Sequence, residues 1–120
     1  MVMAEANSRS VPLTICIRDR HDNMVAQVRM KGALLGSVAL ACDKARTSAL
    51  FPFPSEAIAI NPSLELSNGI ISSIAGGLPL IGSSGQSVGS IGVSGAATGA
   101  EDAEIAQVAV NNIDTVINSF

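Results

Sequence analysis

Tryptophan and tyrosine are absent from this chain, and three phenylalanines supply all of its aromatic surface. Proteins that hold single-stranded nucleic acid stack its bases on such rings along a basic groove. A chain without those rings and with a net charge of −3 is not built for nucleic acid. Charge of either sign is scarce, at 14% of 120 residues against about 25% in an ordinary soluble domain. With 48% of residues apolar, so few charges cannot coat a monomer, and burial between copies is expected. Two cysteines without a Cys-x-x-Cys pair, and one histidine, point to neither a disulfide framework nor a zinc site. No apolar run is long enough to span a bilayer, since residues 69–82 are interrupted by Ser, Gly and Pro. No secretory leader is visible at the N-terminus, so a cytoplasmic protein with no membrane partner is expected.

Basic residues are absent after position 46. Arg9, Arg18, Arg20, Arg29, Lys31, Lys44 and Arg46 all precede it, and with four acidic residues they give the first 46 positions a net +3. The remainder carries −6. A basic pocket for an anionic ligand, complementary surfaces on neighbouring subunits, and plain solvated surface all fit this segregation.

What is present is small and apolar. The length suits one domain over residues 1–120. Residues 1–10 have the makings of a short helix. Leu13 to Arg18 and Met24 to Met30 alternate as strands about a polar turn, Asp19 to Asn23, and read as a hairpin. Ser37 is placed to cap a helix running to about Phe51, where Pro52 and Pro54 stop it. Ser55 to Ile60 reads as a further helical turn. Ser63 to Ser67 reads as irregular or a short helix, and Asn68-Gly69 as a turn. Ile70 to Ala75 and Leu78 to Ile81 are candidate strands. The reversal at Gly82-Ser83-Ser84-Gly85 leads into a fifth, Val88 to Ser94, with Ile91 and Val93 on one face and Ser90, Gly92 and Ser94 on the other. Glycines inside that strand imply that another element approaches its backbone closely. Thr98 with Glu101 matches a capping box for a last helix, from about Ala100 to Asn118. Strands joined by tight turns with helices packed on them make an α+β domain with a five-stranded antiparallel sheet.

The run Gly76-Gly77-Leu78-Pro79, a short turn, then Val88-Gly89-Ser90-Ile91-Gly92-Val93-Ser94-Gly95 and an acidic helix start at Glu101-Asp102 resembles the GlcG/HbpS-like family. Lys44-Ala45-Arg46-Thr47 resembles that family's Lys-Ala-x-Thr helix. The resemblance spans roughly residues 11–110. It implies a profilin-like arrangement, heme as a cofactor, and a homo-oligomer of high order, an octamer among the options. Members of the family are known as heme-binding or heme-degrading, and the domain also ends the PduO-type corrinoid adenosyltransferases. Two departures stand out. The helix before the first strand is shorter than in relatives, and Lys31 replaces the aspartate of the family's Arg-x-Asp-Gly-Ala.

Several side chains are candidates for chemistry. His21 suits a heme iron or acid–base work, with Asp19 or Asp22 to orient it, though a histidine in a polar turn is more often merely solvated. Cys42 is a second axial candidate, in keeping with the His/Cys ligation associated with the PduO branch; as a small core residue it needs no function. Arg18, Arg29, Lys44 and Arg46 suit ligand carboxylates or salt bridges to a neighbour. Gly76 and Gly77 can form an anion nest or simply a bend. Glu101 and Asp102 either cap the last helix or offer a general base in a cleft. Two functions follow: an oligomer binding heme or another planar anionic ligand, or a cofactor-independent isomerase, cyclase or hydrolase. An assembly module without chemistry is the third.

Overall fold

The structure is a computed structural model and describes residues 1–60 and 71–113. Along them run α1 (Val2–Ser8), β1 (Thr14–Asp19), β2 (Met24–Arg29), α2 (Gly36–Leu50), a 3-10 helix (Ser55–Ile60), β3 (Gly77–Ile81), β4 (Ser87–Ser94) and α3 (Gly99–Asn111). The sheet is antiparallel throughout, in the order β2-β1-β4-β3. Period-two alternation sends the branched side chains to one face. Leu13, Ile15, Leu78, Leu80, Ile91 and Val93 bury there against Val2 and Ala6 of α1 and Ile105, Ala106 and Ala109 of α3.

The opposite face is made of small and polar residues, and α2 lies directly on it. A methyl group on Gly92 would overlap the carbonyl oxygen of Ala41 and come within 2.6 Å of the Ala45 nitrogen. Only glycine permits this approach. With the helix that close, polar side chains bridge the layers. Ser90 Oγ donates to the Ala45 carbonyl at 2.5 Å, and Thr14 Oγ1 and Ser37 Oγ meet at 2.7 Å. Ser37 therefore does not cap α2. It lies inside the helix, and its hydroxyl donates to the Leu34 carbonyl at 2.6 Å.

Four strands form the sheet among the described residues, not five. The stretch Ile71–Ala75 is not a strand, because side chains take its backbone groups. The Ser72 N–H donates to Thr47 Oγ1 at 2.9 Å, and Ser55 Oγ donates to the Ile74 carbonyl at 2.6 Å. No ladder can form on groups already occupied. The expected strand start at Ile70, the segment Ser63–Ser67, the Asn68-Gly69 turn and the tail of the last helix beyond residue 113 lie outside the described residues. The Gly-Ser-Ser-Gly reversal forms as expected, with Gly85 at φ +81° and the Gly82 N–H donating to the Gln86 carbonyl at 2.9 Å. Thr98 caps α3, its Oγ1 accepting from the Glu101 N–H at 3.2 Å. No described helix is long and apolar enough to cross a membrane.

Candidate functional site

Lys44 is fully buried, which a lysine tolerates only with partners. Its ammonium donates to Asp102 Oδ2 at 2.8 Å and to the Val93 carbonyl at 2.9 Å. Asp102, at the start of α3, is itself buried, and its Oδ1 accepts from the Ala96 N–H at 2.9 Å. The ion pair thus ties α2, the end of β4, the loop before α3 and α3 itself together. Gly76 and Gly77 make room for this lysine. A methyl group on Gly76, at φ +131°, would sit 2.7 Å from Lys44 Nζ, and one on Gly77 would overlap the Lys44 carbonyl. The Gly77 N–H donates to Ser55 Oγ at 3.0 Å. Of the expected anion partners, Lys44 is therefore engaged internally, and the two glycines serve close packing. Glu101 stays part-exposed at the helix start, its backbone N–H taken by Thr98.

His21 lies elsewhere, exposed in the turn between β1 and β2. Asp19 organises that turn, its Oδ1 accepting from the N–H groups of His21 at 2.8 Å and Asn23 at 3.0 Å. The Asn23 N–H above all holds the Asp19 carboxyl below its usual range, with the His21 N–H and the Asn23 amide adding to it. Arg20 Nε donates to the imidazole Nε2 at 3.3 Å. Asp22, at φ +65°, turns back under the hairpin. Its Oδ2 accepts from Arg46 Nε at 2.9 Å, and its carbonyl accepts from Arg18 Nη1 at 2.8 Å. His21 and Asp22 are neighbours in sequence, but Asp22 serves two arginines and does not orient the imidazole.

Cys42, half-buried on α2, receives the Gln27 side-chain amide on its sulfur at 3.2 Å. Gln27 faces Cys16 across the β1–β2 ladder, so the two thiols share one small cluster with Ala41 and Ala45. Burial pushes the Cys16 thiol up to about 12, with the Cys42 thiol adding to the rise. Arg29 folds back on the chain, donating to the Ala33 carbonyl at 3.0 Å through Nη2. Asp43, beside Cys42, is raised by burial, an effect that Arg46 and Arg18 oppose.

Among the described residues, a cavity lies on either side of the sheet. The first is an open apolar groove of about 310 Å³ on the α1 and α3 side, walled by Met1, Met3, Ile17, Val25 and Val28. The second, about 430 Å³, lies on the α2 side between Leu34, Leu40, Ile74 and the Gly95–Gly99 loop, with Ser94, Lys44 and Asp102 among its lining. Ser94 is 4% exposed and makes no side-chain hydrogen bond among the described residues. Neither Ser94 nor the groove stood out in the sequence. The only signal for Ser94 was its place after Ser90 and Gly92 on the face of β4 that α2 covers. No group of three His, Cys, Asp or Glu residues able to hold a metal ion occurs among the described residues.

Solved structures share this architecture. The Klebsiella pneumoniae protein ORFY superposes with a TM-score of 0.85 at 29% identity, over 92% of this chain and 80% of its own. A double mutant of HbpS from Streptomyces reticuli gives 0.84 at 27% identity, over 92% and 77%. PduOC in complex with heme gives 0.82 at 28% identity, over 92% and 84%. No curated sequence matches the chain. The model of the HbpS-like family, described as heme-degrading proteins, matches residues 1–111, and the chain belongs to that family.

Proposed function

We propose that the chain is an oligomeric, profilin-like heme-binding protein. The observation that carries this reading is its likeness over nearly the whole fold to PduOC, a protein seen in complex with heme. The residues present fit such a group. The groove offers a flat apolar surface to a porphyrin, and His21 closes the turn of the same β1–β2 hairpin whose Val25 and Val28 wall that groove. An exposed imidazole is a natural axial ligand; Cys42 lies on α2, across the sheet from the groove, and would be the ligand only of a heme bound on that other face. Arg29, with the exposed Arg20 and Lys31, would meet the propionates. Bound heme would supply a redox-active iron; the chain's own part is to hold and cover the ring. The groove is open and covers one face, so a second copy of the chain would complete the enclosure.

Titration with hemin, with mass measured on the same sample, tests the reading. A sharp, saturable Soret shift at a fixed heme-to-subunit ratio is expected, lost or displaced in His21→Ala. An unchanged spectrum in that variant removes His21 from the site and turns attention to Cys42→Ala. A featureless, non-saturating response from well-folded protein ends the heme reading.

A further inference from the structure

The groove makes no use of the two thiols on the α2 side of the sheet. We propose that Cys16 and Cys42 form a peroxide-reactive pair, which closes to an intrachain disulfide between β1 and α2 once a hydroperoxide has oxidised Cys42. Three observations lead there. First, the register lines the pair up. Gln27 of β2, Cys16 of β1 and Gly92 of β4 stand opposite one another in one row across the sheet. At one end of the row the Gln27 amide donates to the Cys42 sulfur at 3.2 Å, and at the other Ala41 and Ala45 lie on Gly92. Cys16 stands between them, and Cys42 packs against the cluster that holds it. Second, the layers are close enough. A disulfide needs Cα atoms about 4.4–6.8 Å apart, whereas stacked sheets lie ~10 Å apart. At this row α2 descends to backbone contact, because Gly92 has no side chain to hold it off.

Third, exposure and charge divide the roles. Cys16 is fully buried and Cys42 half-buried, so Cys42 is the sulfur that meets an oxidant. The Gln27 amide hydrogen on that sulfur favours its thiolate, the reactive form. The thiolate attacks the terminal oxygen of the hydroperoxide, and the O–O bond breaks. Sulfur is oxidised to the sulfenic acid, and the other oxygen departs as an alkoxide that takes up a proton. The Cys16 sulfur then displaces the sulfenic hydroxyl, which leaves as water with the Cys16 proton, and the S–S bond forms. In sum, a dithiol and a hydroperoxide become a disulfide, an alcohol and water. Cys16 needs no path to solvent, because Cys42 carries the oxidation to it. Burial raises the Cys16 thiol, so closure is the slower step. Arg18, on the same face of β1, works against that rise, and its buried Nε has no partner among the described residues. A spare guanidinium N–H beside the pair is a ready donor to a thiolate.

The experiment treats the heme-free full chain with hydrogen peroxide, alkylates the remaining thiols at intervals and maps the peptides by mass. A Cys16–Cys42 linked peptide is expected within single chains, reversed by dithiothreitol. Before it forms, dimedone should trap a sulfenic acid on Cys42 and none on Cys16. Cys16→Ser should leave that sulfenic acid trappable and unlinked, and Cys42→Ser should leave Cys16 unoxidised. The proposal is overturned if both thiols stay alkylatable while free cysteine in the same tube is consumed. It is equally overturned if Cys42 proceeds to sulfinic acid with Cys16 still a thiol, or if the disulfides join separate chains. Success or failure with hemin leaves these outcomes untouched, since no heme is present.

Discussion

Lys44 shows how much one residue can decide. Replacing one partner of a buried ion pair leaves the other charged and without water, at a cost of about 3–5 kcal/mol. Lys44→Met should therefore destabilise by that order in urea unfolding, by stranding Asp102. Lys44→Met with Asp102→Leu should recover part of the loss, since no charge is stranded, though the Ala96 N–H and the Val93 carbonyl lose these side-chain partners. Equal losses in the single and double variants would show that the pair does not act as a unit. Cys16 carries a prediction about pH. Its folded pKa is raised from 9.0 to about 12 by burial first and the Cys42 thiol second. Below pH 9 both folded and unfolded thiols keep their proton and nothing changes. Above it the unfolded chain releases a proton that the folded chain retains, so stability should fall as pH rises from about 9 toward 12. Urea midpoints across that range should decline in the native protein and decline less in Cys16→Ala. At this scale Lys44 and Asp102 were visible as candidates, each for a different role. Their pairing across 58 positions was not, because nothing local records which helix face meets which strand end.

At the scale of elements, α2 and β4 depend on each other. The helix lies on the strand because Gly92, Ala41 and Ala45 present no bulk. Gly92→Ala puts a methyl group into the helix backbone, and overpacking of this kind costs about 1–3 kcal/mol. A lowered thermal midpoint is expected; an unchanged one would mean that α2 can stand off from the sheet. Glycine inside this strand is a sign of close approach, since it has few other reasons to stand there, and α2 is the element that comes close. The run Ile70 to Ala75 is expected as a strand because its apolar residues satisfy the pattern of one, yet its described part, 71–75, forms none. Thr47 and Ser55, more than fifteen residues upstream, take its backbone groups instead, and no pattern within the stretch announces that.

At the scale of the whole molecule, the low charge of the sequence has a place in space. All six residues of β2 are exposed, and Met24, Val25 and Val28 are each at least 39% so. The strand is the outer edge of the sheet, and its apolar side chains continue into Met1 and Met3 of the groove. An uncovered apolar edge of this kind invites pairing. The proposed oligomer is expected to close here. Val28→Glu should shift the sedimenting species toward the monomer while leaving the circular dichroism of the fold intact. Retention of the native mass by that variant would place the interface elsewhere.

The sequence by itself determined the class of the fold, the alternation of β1 and β4, the hairpin reversal at Gly85 and the cap at Thr98. It also carried the motifs that led to the family, which the match over residues 1–111 bears out. Each of these rests on neighbours in the chain, where periodicity and backbone preference act directly. Only the tertiary structure decided that Lys44 meets Asp102, that Asp22 serves Arg18 and Arg46 apart from His21, and that Ser94 faces a cavity. Those contacts come from packing α2 against one face of the sheet and α1 with α3 against the other. The free energy of that packing is summed over the whole core, so no single stretch of sequence encodes it.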